Sequence, residues 1–237
     1  MGRNKWFEFK QFRIEQSKAA MKVGTDGVIL GAWTSVDNAS RILDVGTGTG
    51  LIGLMLAQRS NAAIDAVEID EDAYYEAKFN FEQSSWKDRL RIFHSDFNIF
   101  SKEHEQSYDL IVCNPPFFID SLKTSDPQLA VARHNGSMTF DQLIRGSVKL
   151  LKDTGRLSVI IPSESFDEFR ETARLGGFYL HQQCKVISKP GKPAVRVLLE
   201  FSLFKGYTES SEILIKDDQG QFTHQFKKLT CSFYLNF

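Results

Sequence analysis

Cysteine is scarce in this 237-residue chain: Cys113, Cys184 and Cys231 are the only three. An odd number at wide spacings, with no C-x-x-C pair, excludes a disulfide framework and a zinc or redox motif, so the thiols read as reduced packing groups. Proline is also sparse, with six residues, and no Pro/Gly linker, low-complexity tract or internal repeat divides the chain. We therefore expect a single domain with residues 1–35 as an N-terminal extension and covering helix, and residues 36–237 as its main body. No run approaches 18 consecutive apolar residues, which excludes a transmembrane helix. The basic start Met1–Trp6 lacks the apolar stretch of a secretory signal, so a cytoplasmic location without membrane contact is expected. The histidines show no ligand spacing, and no metal is expected.

Net charge is nearly absent as well, at −1, but it is unevenly spread. Residues 1–22 hold six Lys/Arg against two acids, residues 183–207 hold five against one, and residues 208–237 hold three against four, leaving residues 23–182 at −8. Two basic flanks thus bracket an acidic middle. For a polyanionic partner such local surfaces matter more than the total.

An apolar content of 42% and a charged content of 25% are ordinary for a globular chain and exclude disorder, collagen and coiled coil. Short β-branched runs alternate with helical patterns. Arg41–Val45, Ala63–Glu68, Leu90–Phe93, Tyr108–Cys113 and Arg156–Ile161 read as five strands separated by crossovers. Thr139 with Gln142, and Ser165 with Glu168, have the spacing of capping boxes, and Gly176-Gly177 gives a helix stop. Strands alternating with helices imply right-handed βαβ units and a parallel sheet covered on both faces. Tyr179–Ile187 and Ala194–Phe204, joined by Ser188–Pro193, read as an antiparallel hairpin at its end. Ligands in such sheets bind outside the carboxyl ends of the strands, which is where the motifs lie.

After the first of these strands comes Asp44-Val45-Gly46-Thr47-Gly48-Thr49-Gly50. Read from Gly48 it is a G-x-G-x-x-G, and Glu68 lies at the distance of a dinucleotide fingerprint, so an NAD reading must be weighed. Read from Asp44, a carboxylate stands where a pyrophosphate would be repelled, and a cationic ligand such as S-adenosylmethionine fits better, with Glu68 holding its ribose. Asp96, after the third strand, is placed either to accept from an adenine amine or to cap a turn. Asp70 reads as a helix cap.

Asn114-Pro115-Pro116-Phe117 directly follows the fourth strand. An exocyclic amine on an aromatic ring is a poor nucleophile because its lone pair is delocalised. The Asn114 side-chain oxygen and the Pro115 carbonyl could accept both of its N–H bonds and stabilise the charge that grows on nitrogen during methyl transfer. Pro116 completes a rigid backbone with no competing N–H. Phe117 offers a ring on which a base taken out of its stack can lie.

With both motifs in place, the chain resembles class I S-adenosylmethionine-dependent N-methyltransferases, and more closely the bacterial tRNA(Val) (adenine-37, N6)-methyltransferase family. Met21–Trp33, Ser85-Trp86 and Lys189–Leu199 carry the closer resemblance, which spans nearly the whole chain. It implies an α/β, Rossmann-like fold with a mostly parallel seven-stranded sheet, a C-terminal antiparallel hairpin and helices on both faces. It also implies cofactor binding by Asp44, Gly46, Gly48, Gly50, Glu68, Asp96 and Asn114, with Thr25 and Asp26 closing over the methionine end. Catalysis falls to Asn114 and Pro115, and stacking to Phe117, where many relatives have tyrosine. The implied partner is the anticodon stem-loop of a tRNA, bound by a monomer.

Other enzymes share N-P-P-[FY]: methyltransferases of release-factor glutamine, rRNA guanine N2 and DNA adenine. An RNA-binding protein with a degenerate site is a further alternative. For RNA contact we single out Lys189, Lys192 and Arg196, around the stiff Pro190 and Pro193. In the N-terminal arm Arg3, Lys5, Lys10 and Arg13 alternate with Trp6, Phe7, Phe9 and Phe12. That mix suits phosphate contact with base stacking, or equally an arm whose aromatics pack on the core.

Overall fold

A computed structural model describes residues 4–115 and 138–236. Arg3, Pro116 and Phe117 lie outside the described residues. The arm forms a two-stranded antiparallel ribbon, β1 (Trp6–Glu8) and β2 (Arg13–Glu15). After it come α1 (Thr25–Trp33), β3 (Arg41–Val45), α2 (Leu51–Arg59), β4 (Ala63–Glu68), α3 (Glu71–Glu82), β5 (Leu90–His94) and α4 (Phe97–Glu103). The remainder is β6 (Tyr108–Cys113), α5 (Phe140–Leu150), β7 (Leu151–Pro162), α6 (Phe166–Leu175), β8 (Tyr179–Ile187), β9 (Ala194–Ser202), β10 (Glu209–Leu214) and α7 (His224–Thr230).

The main sheet runs β10-β8-β9-β7-β6-β3-β4-β5. β3 through β7 are mutually parallel, and β9 is antiparallel to both β7 and β8. The expected hairpin is therefore present, but the sheet has eight strands where seven were expected. The eighth, β10, adds parallel to β8 at the edge. Four of its six residues are exposed, so it shows neither the apolar alternation nor the apolar run by which strands are read from sequence.

Both sheet faces are buried, which is why β3 and β6 read as continuous apolar runs. On one face Ile42 packs with Val28 to Leu30 of α1, Leu51 to Ala57 of α2 and Phe226 of α7. On the other, Leu43 and Val45 pack with Phe97 and Phe100 of α4, Leu143 and Ile144 of α5, and Phe169 of α6. The covering helix α1 is not amphipathic: every residue from Gly27 to Ala32 is buried. Gly31 lets it approach α2 closely, since a Cβ there would lie 2.8 Å from the Met55 sulfur.

The arm's aromatics take the core-packing alternative. Phe9 and Phe12 are buried and stacked at 4.7 Å, with Tyr234 and Trp86 against them. Trp6 stays exposed, with the Arg13 guanidinium 4.2 Å over its ring. Thr139 and Gln142 form the expected capping box. Ser165 does not: it precedes α6 with ψ of 1° at the end of a 3₁₀ turn, and its side chain makes no cap bond. A capping residue needs extended ψ to point its oxygen back at the first turn, and the preceding turn removes that geometry.

The sheet end opposite the site is fastened by Asp109. Its carboxylate accepts from the Ser40 and Arg41 N–H groups, the Ser40 hydroxyl and the Lys152 ammonium. Burial pushes its pKa upward, but the bonds from Lys152, Ser40 and Arg41 outweigh it and hold it at about 2. The unfolded value is about 4, so this network's stability is fully present above that pH and is lost as pH falls towards 2. We expect Asp109→Asn to lose less stability than the wild type between pH 4 and 2 in denaturant titrations. Parallel curves over that interval would show that the network does not hold the proton off.

Candidate functional site

The sheet order reverses between β3 and β6, which are paired with Val45 opposite Cys113. The glycine loop leaves β3 and Asn114 leaves β6, so the two motifs, far apart in the chain, share one crevice at the topological switch point. Gly46, Gly48 and Gly50 have φ of +68°, +58° and +83°, in the left-handed region that favours glycine. At Gly46 and Gly48 a Cβ would meet open space, so the requirement there is conformational. At Gly50 it is also steric, because a Cβ would come within 2.7 Å of the Phe81 ring.

Asp44 lies fully buried beneath this loop. One oxygen accepts from the Thr47 hydroxyl at 2.6 Å and from Gly53 N–H at 3.0 Å. Gly50, at the N-cap of α2, has no side chain with which to cap it, and Asp44 supplies the missing acceptor from the strand below. Its other oxygen, Oδ1, is buried without a partner among the described residues. Burial first, and then the nearby Glu68 charge, raise the Asp44 pKa to about 7 against the pull of Thr47 and Gly53. The buried Cys113 thiol is likewise pushed well up, by burial and by the Asp44 and Glu68 charges. The floor of the crevice is electronegative.

Glu68 is buried at the end of β4. Its Oε2 accepts from Gly48 N–H at 2.8 Å, and Oε1 accepts from Ile69 and Asp70 N–H groups at 2.9 Å. It therefore shapes the glycine loop, while Oε2, with one bond, keeps acceptor capacity. Asp96 is the N-cap of α4, accepting from Asn98 and Ile99 N–H groups through Oδ1. Asp70 caps α3, as expected. The Asn114 side-chain oxygen is buried with no partner among the described residues, and Pro115 beside it is buried.

Thr25 and Asp26 open α1, with Thr25 exposed. Asp26 accepts from Arg196 Nε at 2.8 Å, so a residue singled out for the cofactor and one singled out for RNA meet in a half-buried ion pair. Arg196 sits in β9 opposite Pro162, at the rim end of β7. Since Cys113 pairs with Val159, β7 runs three residues past β6, roughly 10 Å at the usual rise. β7, β9 and β8 thus wall one side of the Asn114 crevice, and the hairpin connection with exposed Lys189 and Lys192 crowns that wall. Lys5 is exposed on the arm beside β1.

Two residues that bond to the glycine loop or to the segment before α1 escaped the sequence reading: Asn80 and Glu76. Both are polar yet lie in the buried stripe of α3 with Ala73, Ala77 and Phe81. That i, i+4 polar pair on an apolar face was the available signal.

The buried oxygens of Asp44 and Asn114 and the open space over Gly46 and Gly48 suit a ligand with a cationic part that brings backbone-close contacts. A pyrophosphate would face two carboxylates. Among the described residues no group of His, Cys, Asp or Glu is placed to hold a metal, and no helix is long and apolar enough to cross a membrane.

Residues 17–172 match the methyltransferase small domain family. The chain is similar over nearly its whole length to proteins named tRNA1(Val) (adenine(37)-N6)-methyltransferase. It is 44% identical to the one from Bacteroides fragilis, over 97% of this chain and 98% of that protein. For Flavobacterium psychrophilum the identity is 47%, over 97% and 99%, and for Histophilus somni 41%, over 100% of both. In fold it is similar to a predicted O-methyltransferase from Agrobacterium tumefaciens, with TM-score 0.70 and 19% identity over 88% of this chain and 96% of that one. It is also similar to P. horikoshii TYW2, solved in complex with MeSAdo, with TM-score 0.54 and 15% identity over 82% and 68%.

The raised Asp44 pKa has a consequence for stability. The folded chain binds this proton more tightly than the unfolded chain, whose value is about 4, so stability falls as pH rises from there to about 7 and is level above. Asn at this position cannot ionise. In melts of the ligand-free protein, the Tm of Asp44→Asn relative to wild type should climb between pH 4 and 7 and then plateau. A pH-independent difference would contradict the raised pKa.

Proposed function

Because the chain belongs to the methyltransferase small domain family, we propose that it transfers a methyl group from S-adenosylmethionine to the N6 amine of adenine 37 in tRNA1(Val). The observation that carries this reading is the Asn114 oxygen, buried without a partner among the described residues at the end of the strand beside the glycine loop. The target base is supported by the curated relatives' names, at 41% to 47% identity over nearly full length.

S-adenosylmethionine supplies an electrophilic methyl group on a sulfonium and leaves as a thioether. Asp44, Gly46, Gly48, Gly50 and Glu68 would hold it, with Thr25, Asp26 and Asp96 at its ends. Asp96 also caps α4 through Oδ1, a role compatible with both uses. The electronegative floor favours a cationic cofactor and raises its local concentration.

The chain's own part in the reaction is positional and electrostatic. Asn114 Oδ1 and the Pro115 carbonyl accept the two N–H bonds of the adenine amine. They turn its lone pair towards the methyl carbon and stabilise the positive charge that builds on nitrogen as the N–C bond forms and the S–C bond breaks. Acceptors aimed at the charge that develops in the transition state lower the barrier most when they are already in place. Pro116 and Phe117 belong to the same proposal, as backbone stiffener and stacking surface for the base.

A tRNA must bring its anticodon loop to this crevice although the middle of the chain is acidic. The wall crowned by Lys189 and Lys192 offers phosphate contact beside the rim, with Arg196 behind it and Arg3 and Lys5 on the arm. Action as a monomer in the cytoplasm completes the proposal.

Two measurements test it. Asn114→Ala should lower the rate of methyl transfer to a tRNA1(Val) transcript by roughly 10²-fold or more while calorimetry still detects cofactor binding. Turnover near wild type, or transfer unaffected by replacing adenine 37 with guanine, would rule out the mechanism or the target. Lys189→Glu combined with Lys192→Glu should weaken tRNA binding and flatten its logarithmic salt slope by up to about 2, at unchanged cofactor affinity. Identical slopes would mean that the RNA docks elsewhere.

A further inference from the structure

Helix α3 buries two polar side chains in an otherwise apolar stripe, Glu76 at 6% and Asn80 at 2% exposure. Burying a carboxylate is costly unless its oxygens are hydrogen-bonded, so the partners show what the residue is for. Among the described residues, Glu76's hydrogen-bond partners all lie in the N-terminal segment. Oε1 accepts from the Ser17 and Lys18 N–H groups at 2.5 and 2.9 Å and from the Ser17 hydroxyl at 3.2 Å, and Oε2 accepts from Ala19 N–H at 2.8 Å. Gln16 closes the same segment by accepting from Val23 N–H at 2.8 Å. The next residue, Gly24, is the N-cap of α1, where Thr25 and Asp26 begin.

Asn80 stands one turn further along and faces two ways. Its amide accepts from Glu15 N–H and donates to Glu15 carbonyl, both at 2.9 Å, as a paired strand would. Its remaining N–H donates to the carbonyl of Thr49 at 2.8 Å, between Gly48 and Gly50 in the glycine loop. Phe81, the next residue, packs against Gly50. Residues 15–24 therefore run as a strap from β2 across α3 to the start of α1, and the side chain that grips one end of the strap also grips the loop.

Glycine loses more conformational freedom on ordering than any other residue, so a loop with three left-handed glycines is costly to fix. Anchoring it before the ligand arrives removes that loss from the binding step. We propose that Asn80 and Glu76 are positioning residues of the cofactor site, and that through them the strap and the glycine loop order as one unit. The strap leads into the N-terminus of α1, where Thr25 and Asp26 stand, so α3 holds both the glycine loop and the segment that precedes those residues. This inference rests on the reading of the glycine loop as the S-adenosylmethionine site.

Hydrogen–deuterium exchange on the wild-type protein, with and without S-adenosylmethionine, tests the coupling without a variant. Amides of residues 15–23 should slow at least about fivefold together with those of residues 46–53. Protection of the loop alone overturns the coupling, and protection of neither overturns the cofactor reading and the proposal with it. Kinetics give a second test. Asn80→Ala should raise the KM for S-adenosylmethionine about tenfold with kcat changed less than twofold. Glu76→Gln, which disturbs only the strap, should raise the same KM about threefold. A purely structural strap would lower Tm and the active fraction at unchanged KM, and that result in both variants overturns the proposal. Should either variant fail to fold, the wild-type exchange decides.

Discussion

The buried carboxylate of Asp44 is the constraint around which this molecule is arranged. Its one bonded oxygen ties the end of β3 to Thr47 and to the first turn of α2, fixing where the glycine loop can go. Its other oxygen is left without a partner among the described residues, an arrangement that costs free energy. The raised pKa expresses that cost. A residue kept under such strain at a strand end points to a ligand that completes it, and with Glu68 beside it the ligand's nearest part must not be anionic. The same two carboxylates separate the methyl-donor reading from the dinucleotide reading that the glycine spacing alone would permit.

Topology then brings the second half of the chemistry to the first. A parallel sheet that reverses order between β3 and β6 opens a crevice where their loops diverge, and the glycine loop and Asn114 leave from those two strands. On the other side of Asn114 the sheet continues upward: β7 overruns β6 by three residues, and β9 and β8 follow it. The result is a low floor that is electronegative beside a tall wall that is basic at its top. In the proposed reading the first takes a small cationic cofactor and the second the phosphates of an RNA.

The N-terminal arm shows how one composition can serve two ends. Its alternation of cations and aromatics is what a strand that stacks bases would have, yet Phe9, Phe12 and Ile14 are buried and leave Trp6 exposed under Arg13. The difference lies in partners supplied from the far end of the chain, Phe233 and Tyr234, and from Trp86. The segment after the ribbon matters more for the site: residues 15–19 are gripped by α3, which in turn holds the glycine loop.

Features that depend on neighbours in the chain could be read from the residues alone. Five parallel strands and a hairpin follow from apolar runs and their spacing, the Thr139–Gln142 box from residues three apart, and the two motifs from their positions directly after strands. Other features come only from contacts between distant residues. The edge strand β10 exists because β8 offers it a hydrogen-bonding partner, since its own exposed side chains carry no pattern. Ser165 is not a capping residue because the turn before it sets its ψ. Arg196 and Asp26, far apart in the chain, were assigned to different ligands and prove to be bonded to each other. The place of Glu76 and Asn80 on the apolar stripe of α3 is legible, but what they bind is set only when the arm and the glycine loop fold against them. Local patterns fix which backbone hydrogen bonds a segment can make with itself; burial of a charge or an amide is settled only by what arrives from elsewhere in the chain to satisfy it.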